Sequence, residues 1–204
     1  MKIKTLAFTI AMLFAAMEVM AQDKVRSIVV GFSPLGYNHL NVSYKDEKYK
    51  YDYKSYINAH VGFEKQFKGI TSLTELTYSR AKFDHSDLTG DANPARDSDL
   101  KTWSITTYAG KTINPNKRVQ FPIYLGIGAD IIDVGSVGNL IFDFAAKARI
   151  KFYITDRLGI YAGGYGRFGW GAKSRSEKSS SNDDSVYTVS PSVLALEAGI
   201  LIGL

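Results

Sequence analysis

The chain has 204 residues, 45% hydrophobic and 22% charged, with a formal net charge of +5; this is an ordinary globular mixture for one domain and excludes a disordered chain or a bundle of membrane helices. Cysteine is absent, so a disulfide scaffold, a thiolate metal site and a cysteine nucleophile are excluded. Basic residues are scattered among acidic ones along the chain, which leaves no stripe suited to nucleic acid.

The first segment reads as a leader. Lys2 and Lys4 precede the apolar run Leu6–Met17, and Val19-Met20-Ala21 ends in a small residue. Residues 1–21 are expected to be a signal peptide and residues 22–204 one exported domain. Twelve apolar residues fall short of the roughly 20 that a membrane-spanning helix needs, and no later run is longer. Any membrane crossing has to be made by strands.

Alternation of period two then recurs about eight times. In the first strand Ile28, Val30 and Phe32, then Leu40, Val42 and Tyr44, share one parity, with an irregularity near residues 34–37. In the second, Tyr51, Tyr53, Ile57, Ala59, Val61 and Phe63 oppose Asp52, Lys54, Tyr56, Asn58, His60 and Glu64. The third sets Leu76 and Tyr78 against Glu75, Thr77 and Ser79, and Trp103 and Ile105 mark the fourth. In the fifth, Ile123, Leu125, Ile127 and Ile131 oppose Tyr124, Gly126, Gly128 and Asp130. The sixth sets Leu140, Phe142, Phe144 and Ile150 against Asp143, Lys147, Arg149 and Lys151. The seventh carries Leu158, Ile160, Phe168 and Trp170, with Arg167 on the other face, and the last sets Leu194, Leu196, Ile200, Ile202 and Leu204 against Glu197.

These runs are about 10 to 15 residues long, whereas globular strands centre on about 5 or 6 and a tilted membrane strand needs about 9 to 11. Compact turns are expected near residues 65–69, 114–117 and 155–157, at one end of the strands. At the other end lie two long polar loops, Asp84–Asp99 and Lys173–Ser185. That asymmetry suits an outer-membrane barrel with its long loops outside the cell. One face is Leu, Ile, Val and Phe with hardly a charge, as lipid requires. The other mixes charges with glycines, as the crowded inside of a narrow barrel requires. Aromatic girdles are expected from Tyr44, Tyr51, Tyr78, Trp103 and Trp170 at the outer interface and from Phe63, Phe121 and Phe152 at the inner one. Unpaired edges are costly in hydrocarbon, so the last strand is expected to close on the first.

On this alternation, and on the closing segment 194–204, the chain resembles the small eight-stranded outer-membrane barrels of the OmpX and OmpA-barrel type over about residues 25–204. It departs from them in ending on Leu204, where such proteins commonly end on an aromatic residue. The resemblance implies an all-β, eight-stranded antiparallel up-and-down transmembrane barrel in the cell outer membrane. It also implies contact with outer-membrane lipid and with the barrel-assembly machinery during insertion.

Asp52, Lys54, His60, Glu64, Glu75, Asp130, Asp143, Lys147, Arg149, Lys151, Arg167 and Glu197 are expected on the interior face. Six acids against five bases suit a paired network that occludes the lumen. The alternatives are a narrow channel lined by Lys147, Arg149, Lys151 and Arg167, or a soluble lipocalin-like binding cup. No lipid-modifying triad is legible on the lipid-facing wall, so a non-enzymatic protein is expected. Gly164–Gly169 satisfies G-x-G-x-x-G, but no helical pattern follows, so no phosphate cradle is expected. Asp84, Asp87, Asp91, Asp97 and Asp99 lack the spacing of a calcium loop. No cofactor or metal is expected. The expected role is structural or in surface recognition, as a monomer, through residues 84–99 and 173–185.

Overall fold

The computed structural model describes residues 25–44, 47–86, 99–134, 137–170, 172–175 and 186–204. The segment expected to be a leader and most of both long polar segments lie outside the described residues, as does the side chain of Tyr44.

Nine strands follow in chain order: β1 (Val25–Tyr44), β2 (Glu47–Phe67), β3 (Ile70–Ser86), β4 (Leu100–Ile113), β5 (Val119–Val134), β6 (Val137–Tyr153), β7 (Leu158–Trp170), β8 (Ala172–Arg175) and β9 (Val186–Gly203). Each long strand pairs antiparallel with its neighbour, and β9 pairs with β1, closing an eight-stranded barrel. The short β8 pairs only with the outer part of β9. Closure leaves no long edge, which makes the fold compatible with hydrocarbon.

The pairing can be followed once round the wall from Ile28 through Phe63, Thr74, Thr107, Ile127, Phe144, Phe168 and Ser192, and it returns to β1 at His39, 11 residues from its start. One of those residues is an insertion in β1 relative to β9, between Phe32 and Leu35. A stagger of this size tilts the strands by roughly 40°. On β5 the exposed residues Val119, Ile123, Leu125, Ile127 and Ile131 then cover about 30 Å along the barrel axis, enough to cross a hydrocarbon core.

The three compact turns fall where the sequence places them. Lys68 (φ 46°) and Gly69 (φ 85°) are both left-handed, the backbone of a two-residue turn whose twist matches its flanking strands. Asn114 (φ 57°) begins the second turn. In the third, the Thr155 hydroxyl accepts from the amides of Arg157 at 3.2 Å and Leu158 at 3.0 Å.

Three strands depart from uniform alternation, β3 by an extra residue between Phe83 and His85 relative to β2. The irregularity of β1 falls at Phe32–Leu35, and β2 carries an extra residue between Ser55 and Ile57 relative to β3. Each insertion flips the parity of everything above it. Tyr51 and Tyr53 therefore point into the barrel, 8% and 1% exposed, and Leu40 joins them. Asp52 and Lys54 turn outward, which corrects their assignment to the interior, and Tyr51 is not a girdle residue. Tyr56, also assigned inward, is exposed on the wall. Trp103 and Trp170 are exposed at the outer girdle and Phe63 and Phe152 at the inner one.

Candidate functional site

The lumen is built in tiers, each formed where side chains from different strands meet at one height. At the short-turn end, Gln66 donates to the Pro115 carbonyl (2.8 Å), and Gln120 donates to those of Pro115 (2.7 Å) and Lys117 (3.2 Å). The Thr71 and Thr112 hydroxyls bond beside them at 2.5 Å. This ties the second turn across the barrel's inner mouth.

Above it, Lys151 pairs with Glu64, which also accepts from the Tyr124 hydroxyl at 2.8 Å. The next tier holds two acids and two bases. Arg149 donates through Nε to Glu197 Oε1 at 2.6 Å and through Nη2 to Glu197 Oε2 at 3.0 Å, and it also pairs with Glu75. Lys147 joins the same two carboxylates, with Glu197 Oε2 at 3.1 Å. Its ammonium lies between the rings of Tyr108 (4.9 Å) and Tyr165 (5.0 Å), and the Arg149 guanidinium lies 4.3 Å from the Tyr161 ring centre. Aromatic faces attract the cations without adding a further charge.

His60 lies in this tier. Its Nε2 is 2.5 Å from the Tyr161 hydroxyl, 3.5 Å from Glu197 and 4.0 Å from Glu75. Its partners thus come from other strands, whereas Glu64 is engaged elsewhere. Gly31 makes the contact possible, because a Cβ there would overlap the Tyr161 hydroxyl and lie 2.7 Å from His60 Nε2. Gly128 likewise leaves room for Asp143 and Thr106.

The uppermost ionic tier sets Arg167 against Asp143 (Nε to Oδ2, 2.8 Å), Asp130 and the Ser104 hydroxyl (2.7 Å). The outer part of the lumen is then apolar, filled by Leu40, Tyr51, Tyr53, Leu100, Ile132, Ile141 and Val189. Ten of the twelve residues expected inside are there; with Asp52 and Lys54 excluded, five acids face four bases.

His60, Glu75 and Glu197 present ligand atoms within 4.8 Å of one another. Their two carboxylates already hold Lys147 and Arg149. A divalent ion would have to enter beside two fixed positive charges, so this donor set suits ion pairing rather than metal binding.

The outer wall carries groups that strand parity concealed. His39 Nδ1 lies 2.5 Å from Asp52 Oδ1, with the side chains 52% and 38% exposed. In the register Ser192 stands opposite His39, and His85 opposite Asp52. Asp99, just before β4, accepts from Tyr56 of β2 at 2.7 Å and from Arg80 of β3 at 2.6 Å. Those two hydrogen bonds, Tyr56's first, hold the Asp99 carboxyl below its ordinary range. The glycine motif at 164–169 lies within β7 and opens no helix.

The same fold is found in the outer membrane protein OprG from Pseudomonas aeruginosa, at 10% identity and a TM-score of 0.57, covering 88% of this chain and 96% of that one. It is found also in the outer membrane protease OmpT from Escherichia coli, at 7% identity and a TM-score of 0.51, covering 90% of this chain and 99% of that one. This chain is a β-barrel of the outer-membrane type. No family model matches it, and no curated protein matches it in sequence. At such identities the fold is shared and nothing finer follows.

Proposed function

We propose that the protein resides in the outer membrane as an occluded barrel, a rigid scaffold that presents residues 84–99 and 173–185 for recognition at the cell surface. The observation that carries this is the filled lumen, with a tethered turn, three ionic tiers and an apolar cap stacked from mouth to mouth. An eight-stranded barrel is just wide enough for its interior to be filled by side chains, and here each basic group of that interior pairs with a carboxylate. Insertion would need the barrel-assembly machinery, and long loops on a rigid wall are where binding usually resides.

Planar-bilayer recording of the purified full-length protein tests the occlusion. No conductance steps are expected; steady ion-selective steps would favour the narrow channel instead. Protease shaving of intact cells tests the presentation, and cleavage within 84–99 and 173–185 is expected, with the strands protected.

A further inference from the structure

Ser192, His39 and Asp52 stand side by side on β9, β1 and β2, all on the outward face, with His39 exposed and the other two half-buried. Asp52 engages His39 through Nδ1, the arrangement that fixes an imidazole with Nε2 available for a proton. Directly opposed Cβ atoms lie about 4.5–5.5 Å apart; the Ser192 hydroxyl makes no hydrogen bond to His39 in the resting structure, and side-chain rotation brings it within reach of Nε2.

A groove of about 490 Å³ lies immediately below this row on the lipid-facing wall. Leu35 and Tyr37, just before His39, and Leu194 and Leu196, just after Ser192, form its flank on β1 and β9, and Ile123 and Leu125 of β5 form the opposite flank. Ala146, Ala148, Gly164 and Gly166 form its floor, and its lining is almost wholly apolar. Barrel packing does not require glycine at its floor: a Cβ on Gly166 would meet nothing nearer than 3.7 Å.

We propose that Ser192, His39 and Asp52 form a hydrolytic triad on the outer wall, acting on fatty acyl esters of outer-leaflet lipids whose chain lies in this groove. Ser192 Oγ attacks the ester carbonyl while its proton passes to His39 Nε2. The carbon–oxygen bond to the lipid alcohol breaks, and the alcohol departs with that proton. Water then cleaves the acyl-serine, giving one proton to His39 and releasing the fatty acid, and Ser192 recovers its proton. Asp52 is the positioning residue, and Tyr37, two residues from His39 on the same face, offers a hydroxyl to the developing oxyanion. The activity uses the outer wall and is independent of whether the lumen conducts.

The test uses the full-length barrel in detergent micelles, with folding of every variant verified by its heat-dependent gel shift. The probes are p-nitrophenyl palmitate, p-nitrophenyl acetate and a fluorophosphonate. The wild type is expected to release palmitate and to be labelled at Ser192. Ser192→Ala and His39→Ala should lose label and turnover, on the order of 10³-fold. Asp52→Asn should lower kcat with KM unchanged, and Asp52→Glu should restore it in part. Gly166→Leu should abolish turnover of the palmitate ester while sparing the acetate ester. A folded wild type that neither takes label nor cleaves palmitate overturns the proposal, as does full turnover in Ser192→Ala. So does loss of activity on EDTA treatment, which would point to a metal held by His39, Asp52 and His85.

Discussion

The inner and outer halves of the barrel are built from the same alternating strands, yet they differ in what they enclose. Toward the inner mouth the lumen is ionic, and Glu64, Glu75, Lys147, Arg149, Lys151 and Glu197 lie 0–4% exposed. Toward the outer mouth it is apolar, with Tyr53 and Ile141 at 0–1%. The change on β1 and β2 follows from single-residue insertions, which exchange the faces of all that follows. Two aromatic rings go in, and His39, Asp52 and Lys54 come out. These two local irregularities thus cap the lumen and create a polar row on the wall.

The most disruptive way to break this contrast is to unpair the ionic half. Glu75→Ala leaves Lys147 and Arg149 with Glu197 alone, and should cost about 3–5 kcal/mol, as for other buried pairs that lose one partner; urea unfolding in micelles, followed by tryptophan fluorescence, measures it. Gly31→Ala should cost about 1–3 kcal/mol, because a Cβ there meets the Tyr161 hydroxyl and the imidazole of His60. Gly166→Ala, on the lipid-facing wall, should stay within about 0.5 kcal/mol in the same assay.

The remaining tests sharpen the contrast at little energetic cost. Cysteines placed singly at 52 and 54 should react with an impermeant maleimide on intact cells, and cysteines at 51 and 53 should not; the opposite pattern would mean that β2 has no insertion. Asp99→Asn should lower the neutral-pH unfolding midpoint only slightly, since the Tyr56–Asp99–Arg80 contact is partly exposed. Its contribution is present above the usual carboxylate range and is lost as pH falls through the lowered Asp99 value. Any acid-side slope due to Asp99 should therefore vanish in the variant.

Much of the fold was legible because alternation over ten or more residues has few other physical meanings. Lys68-Gly69 and Asn114 announced turns through residues that tolerate left-handed backbone, and Pro34-Leu35-Gly36 announced an irregularity. Ser55-Tyr56-Ile57 announced nothing, because it contains no glycine or proline to mark a bulge. Asp52 and Lys54 were misplaced for that reason alone. The His39–Asp52 pair was hidden by the same omission, since neither residue could be put on the outer wall until the parity of both strands was known. His60 illustrates a different limit: burial on the inner face was readable, but its neighbours Tyr161, Glu75 and Glu197 come from three other strands.

Composition and periodicity alone therefore determined a closed, membrane-suited barrel with one greasy and one ionic face, because each residue type reports its solvent locally. Which acid meets which base, how far along each strand the faces exchange, and which serine stands beside which histidine were decided only in three dimensions. Those depend on register between strands far apart in sequence, and register is a property of the closed sheet rather than of any segment within it.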